Sequence, residues 1–115
     1  MDYDEFAKIS QGLGGGACSR EMWPEVEHTY MSTHICKSTL AYVYWNKTGY
    51  YEQLAHAVKK YDEEKAKFVK DTSEIGYTQI VMLDSISDWV IKIRELVKTC
   101  NGLYTERPAR FRREA

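Results

Sequence analysis

The chain has 115 residues, 43% of them hydrophobic and 29% charged, which suits one domain with one core and excludes wholesale disorder. A formal net charge of −1 gives no field that would point to nucleic acid or a membrane surface. No stretch reaches the roughly twenty apolar residues of a membrane span. Cys18, Cys36 and Cys100 lack metal-clip or redox spacing, and Met1-Asp2-Tyr3-Asp4-Glu5 is acidic where a secretion signal is basic, so a reduced, cytoplasmic protein is expected.

Residues 2–10 can form a short helix with Tyr3, Phe6 and Ile9 on one side. Gly12-Leu13-Gly14-Gly15-Gly16 then reads as a flexible break. The expected layout of a single domain is an N-terminal arm over 1–11, a Gly-rich linker over 12–22, a helical core over 23–102 and a basic tail over 103–115. The arm is either loosely tethered or docks on a partner or on the body.

Pro24 suits the first residue of a helix, and Glu25 and Glu27 favour its positive end. That helix is expected to run to Trp45 or Asn46, with Val26, Tyr30, His34 and Leu40 or Ala41 on its buried side. An alternative stays open: Thr39 to Trp45 is rich in strand formers, and Asn46-Lys47-Thr48-Gly49 can turn a hairpin into Tyr50-Tyr51.

A second helix is expected over about Thr48 to Lys70, with Leu54, Val58, Tyr61, Lys65 and Phe68 at spacings of four, three, four and three. Asp71-Thr72-Ser73 breaks it, and Thr72 or Ser73 can cap a last helix from about Glu74 to Cys100, ended by Asn101-Gly102. On that helix Leu83, Ile86, Val90, Ile93 and Val97 form one apolar line, and Met82, Trp89 and Leu96 a second beside it. The face is wider than one neighbouring helix requires, which predicts a second subunit against Met82, Ile86, Trp89, Ile93 and Leu96. Arg107-Pro108-Ala109-Arg110-Phe111-Arg112-Arg113 reads as a solvated, disordered end rather than a nucleic-acid contact. The expected fold is all-α: an antiparallel bundle of about three main helices plus a short N-terminal helix, assembling into an oligomer.

Signals for catalysis are weak. Glu25 and His28 form a Glu-x-x-His unit, and Glu52 and His56 lie one turn apart, but no full ligand set can be assembled, so no metal or other cofactor is expected. The glycine run lacks the lysine and hydroxyl residue of a phosphate loop. Asp84 and Asp88 read as the wet side of the last helix, and no serine or cysteine sits beside an activating signature. The chain is expected to bind rather than to catalyse.

The binding signature is a cluster of rings, Tyr42, Tyr44, Trp45, Tyr50 and Tyr51, with Lys47, Lys59 and Lys60 close in sequence. Rings stack on nucleobases and lysines neutralise phosphate. The same cluster also suits the centre of a protein interface. The candidate ligand residues are Tyr44, Trp45, Tyr51, Lys59 and Lys60.

Tyr51-Glu52-Gln53-Leu54 opens a helix, Lys59 follows its tyrosine by eight residues, and Tyr44 precedes it by seven. The last helix, opened by Ser73, carries Ile80, Leu83, Trp89 and Ile93. Over roughly residues 44–95 this pattern resembles phage anti-CBASS sponge proteins, small helical oligomers that sequester cyclic oligonucleotide immune signals. The resemblance implies that Tyr44 stacks on a base and that Lys59 contacts a phosphate. The pocket is expected at a subunit interface, because one thin helical layer cannot enclose a ligand by itself. Members usually carry a Pro and then Ser-Arg before the last helix. Asp71-Thr72-Ser73-Glu74 stands there, so the arginine contact to a larger cyclic ligand is missing. Ile91 likewise replaces the family's asparagine. The rival expectation is a protein-binding inhibitor or adaptor that blocks a host defence complex, with Asp2, Asp4 and Glu5 or the tail as accessory anchors.

Overall fold

A computed structural model describes residues 1–16, 18–70 and 77–111, with only the backbone of residues 70 and 77–82. It contains α1 (Tyr3–Gln11), α2 (Trp23–Thr33), α3 (Lys37–Asn46), α4 (Thr48–Lys70) and α5 (Tyr77–Thr105), then a 3-10 turn at Ala109–Phe111. Among the described residues the fold is all-helical, with the helices packed on one another. The helix ending at Lys70 has the expected bounds. Thr72, Ser73 and Glu74 lie outside the described residues.

The N-terminal segment is not a free arm. The Asp2 carboxylate accepts the Glu5 N–H at 2.8 Å and starts α1, which packs on α3 and buries Phe6 completely. Lys37 Nζ donates to Glu5 Oε1 at 2.6 Å, and the Tyr3 hydroxyl donates to the Cys18 carbonyl at 2.5 Å.

The glycine run, expected to be a flexible linker, is wedged between rings. A Cβ on Gly15 would sit 2.2 Å from the Trp45 indole, and one on Gly14 2.9 Å from Phe111, at a φ of +86° that favours glycine. Asn46 Nδ2 donates to the Leu13 carbonyl at 2.6 Å and pins the loop to the end of α3.

The single helix expected from Pro24 to Trp45 or Asn46 is two. His34 adopts the left-handed conformation at φ 55°, ends α2 and stays exposed, so it is not on the buried side; Ile35 dives into the core after it. The strand alternative gives way as well. Thr39, Leu40, Ala41, Tyr42 and Val43 are all buried within α3, and a helix buried on every side satisfies its backbone whatever the β-propensity of its residues.

α4 buries Tyr51, Leu54, Ala57 and Val58, then becomes wetter toward Lys65. α5 lies along it and also touches α2 and α3. Those three neighbours cover part of its apolar face, while Leu83 on the same line stays exposed. Leu96 is buried in the chain's own core, while Trp89 and Ile93 are partly buried against it and Ile86 is half-buried. Leu96 therefore has no surface to offer a second subunit, and the Met82 side chain lies outside the described residues. α5 runs straight through Asn101 and Gly102, where a stop was expected, and its last turn puts Tyr104 beside Tyr42. The chain then folds back. Arg107 donates to the Tyr104 and Phe111 carbonyls, and Phe111 meets the Tyr42 ring at 5.7 Å, so the described part of the tail is packed.

Candidate functional site

α2 buries Val26 and Thr29, which turns Glu25 and His28 toward the open side of α4. From α4, Glu52, His56, Lys59 and Asp62 recur at spacings of four, three and three, one stripe of a helix. The two sets line a groove of about 580 Å³. It adjoins a recess of about 370 Å³ walled by Met22, Tyr44, Trp45 and Tyr51, and both are lined by Glu25 and Glu52.

The fold divides the ring cluster unequally. Tyr51 is buried, and its hydroxyl donates to Glu25 Oε1 at 2.8 Å. Burial first, and then the Glu25 carboxylate, hold that phenol far above its ordinary range, so it stays protonated. Tyr44 is half-buried and meets Trp45, Tyr51 and Phe6 edge-on at 5.0, 4.9 and 5.9 Å. Burial raises its pKa too. Tyr42 belongs to the core, and Tyr50 lies on the surface. Successive helical residues diverge by about 100°, so neighbours in sequence such as Tyr50 and Tyr51 end on different sides. One polar atom in this wall is unanswered: Trp45 Nε1 is buried without a hydrogen-bond partner among the described residues.

Tyr44, Trp45 and Tyr51 thus line the recess, and Lys59 lines the groove beside it. Lys60 is outside its lining and reaches Glu63 Oε2 at 3.4 Å. The groove is acidic. Glu25, Glu52, Asp62 and Glu63 line it against the single amine of Lys59. His28 Nε2 lies 2.5 Å from Asp62 Oδ2, so the Glu25–His28 unit is spent on Tyr51 and Asp62. Among the described residues no group of three His, Cys, Asp or Glu side chains is placed to hold a metal ion. The carboxylates are what the ring-and-lysine reading missed. Their signal was the polar stripe along α4.

No family model matches the chain, and neither does any curated protein or solved structure. The resemblance to the sponge proteins therefore stands on the residues quoted for it. Among the described residues no helix is long and apolar enough to cross a membrane.

Proposed function

We propose that the chain is a non-catalytic binding protein, an inhibitor or adaptor that takes a lysine- or arginine-bearing segment of another protein into the α2–α4 groove. The observation that carries this reading is the excess of carboxylate over amine beside an aromatic wall. Guanidinium groups pair with carboxylates and stack on Trp and Tyr, and partial burial strengthens both contacts. Met22, exposed and part of the recess lining, adds apolar contact area.

The second reading is the sponge, in which Tyr44 stacks on a base of a cyclic oligonucleotide and Lys59 meets its phosphate. What favours it is that Tyr44 lines the recess and Lys59 the groove, two hollows that share Glu25 and Glu52 in their lining. Four carboxylates repel the phosphates, which ranks it second. It also calls for a homo-oligomer. Among the described residues, Leu83 and Ile91, 47% and 52% exposed, are large apolar side chains of α5 left for a second copy.

Native mass spectrometry separates the readings. The protein is sprayed alone, with a panel of cyclic di- and trinucleotides, and with short arginine- and tryptophan-bearing peptides. Retention of the peptides, lost in Glu52→Lys, supports the protein-binding reading. Retention of a cyclic nucleotide, lost in Tyr44→Ala and Lys59→Ala, replaces it with the sponge. An unaltered ligand mass supports binding without turnover.

A further inference from the structure

The rings of the recess do not lie parallel. The Trp45 and Tyr51 planes are turned 84° and 78° from that of Tyr44, with centroids 5.0 and 4.9 Å from it. A flat group, base or guanidinium, can lie on one of these walls but not on two at right angles. A round cation can sit in the corner and draw on several ring quadrupoles at once. Met22, Glu25, Thr48 and Glu52 complete the lining, and among the described residues no lysine, arginine or histidine belongs to it.

We propose that the recess binds a methylated ammonium group, carried as the head of a methylated lysine on the partner segment. The segment rests on the protein-binding reading of the groove; the choice of head group rests on the recess alone. A bare lysine ammonium is compact and strongly hydrated, so it loses much on entering an aromatic recess. Methyl groups remove the N–H donors that hold water and spread the charge over a surface that rings can touch. Such a head asks for negative charge nearby and for no aligned acceptor. The carboxylates supply that: Glu25 Oε1 already accepts the Tyr51 hydroxyl at 2.8 Å, and Glu52 is exposed.

The walls are set before a ligand arrives, which limits the freedom lost on binding. Tyr44 packs edge-on against Phe6 at 5.9 Å, Gly15 lies against the Trp45 indole, and Tyr51 is buried. The volume of about 370 Å³ is near the lower end of the range for small-molecule sites and suits a head group. The alkyl stem then leads into the groove, because Glu25 and Glu52 line both hollows.

The test is fluorescence polarisation on the full chain with a labelled peptide, Ala-Gly-Lys-Gly-Ala. Its lysine carries either no methyl group or three. An arginine version and a neutral version, with tert-butyl in place of trimethylammonium, are run beside it. Choline, followed by quenching of tryptophan fluorescence, is the free form of the same head. The trimethylated peptide is expected to bind at least about tenfold more tightly than the other three versions, as for a desolvated cation over rings. Glu52→Gln, an exposed change that leaves circular dichroism unaltered, is expected to weaken it by about threefold. Equal binding of the methylated and unmethylated peptides overturns the inference and leaves the groove's preference for basic segments standing. Equal binding of the neutral version, or full affinity in Glu52→Gln, also overturns it, since the recess is then merely apolar. Choline bound while every peptide fails upholds the ammonium and overturns its peptide carrier; failure of both at millimolar concentration overturns the whole proposal.

Discussion

The groove and a second cleft, lined by Lys8, Ser38, Tyr104, Arg107 and Phe111, are built from similar materials, aromatic rings beside lysine or arginine, and they differ in the rest of their lining. In the groove Lys59 is outnumbered by Glu25, Glu52, Asp62 and Glu63; among the described residues the lining of the cleft holds no carboxylate. A lysine near a tyrosine in sequence is therefore no anion site by itself. The sign of a site is set by the elements that fold against it. For Lys59 those are α2 and its own helix, both acidic there, and for Lys8 they are the glycine loop and the C-terminal turn.

The largest expected effect touches both regions. Phe6 is fully buried and contacts the Trp23 and Tyr44 rings at 5.6 and 5.9 Å. Phe6→Ala should destabilise the protein by about 3–5 kcal/mol in urea denaturation, as for other buried aromatics. A loss below about 1 kcal/mol, the range of surface changes, would return α1 to the status of a loose arm and remove one wall of the cleft.

Next comes a change confined to the glycine loop. Gly15→Ala forces a methyl group into the Trp45 indole and should destabilise by about 1–3 kcal/mol. The accompanying readout is Trp45 fluorescence, which should shift as the ring is pushed out. An unchanged spectrum and stability would mean that the loop gives way freely and that its glycines serve only as a linker.

These two changes mark where the sequence was legible. The α4 stripe could be read because its apolar residues repeat at helical period and nothing else competes for them. The boundary at His34 could not, since a left-handed histidine carries no local signal that a glycine would have carried. The β-branched and aromatic run in α3 kept a strand alternative open beside the expected helix, and it folds as helix because burial on all sides, a tertiary fact, overrides local propensity. Gly14 and Gly15 looked like flexibility because the rings that need them, Phe111 and Trp45, are remote in sequence. The extra width of the α5 face was legible; that part of it packs on three helices of the same chain was not. Of the candidate ligand residues, Tyr44, Trp45 and Tyr51 meet at one recess and Lys59 lines the groove beside it, but Glu25, the carboxylate arriving from α2, belongs to another stretch of chain.

A smaller effect separates the buried wall of the groove from its open side. Tyr51→Phe removes one hydrogen bond to Glu25 and should cost about 1 kcal/mol at neutral pH. Its pH dependence is the sharper readout. The folded-state pKa of Tyr51 is raised, so its stabilising contribution is complete below about 10, the unfolded value, and is lost as pH climbs toward the folded one. Burial likewise raises the Cys18 and Cys100 thiols, whose contribution fades from about pH 8.5 upward. Stability should thus fall in two stages on the alkaline side. Tyr51→Phe should flatten only the upper one; flattening of neither stage would mean that the phenol is accessible to solvent and that the recess is more open than its packing indicates.

The smallest expected effects give the comparison its resolving power. Lys59 and Lys8 are both exposed, and neither has a partner among the described residues, so replacing either with alanine should change stability by no more than about 0.5 kcal/mol. If urea curves for both variants overlay the parent, any binding that one loses and the other keeps is a property of its site alone. A cyclic oligonucleotide lost in Lys59→Ala and kept in Lys8→Ala belongs to the groove. A basic peptide that Lys59→Ala binds more tightly than the parent does would show the groove acting as an acidic surface, because removing its one opposing amine strengthens the attraction that the carboxylates exert.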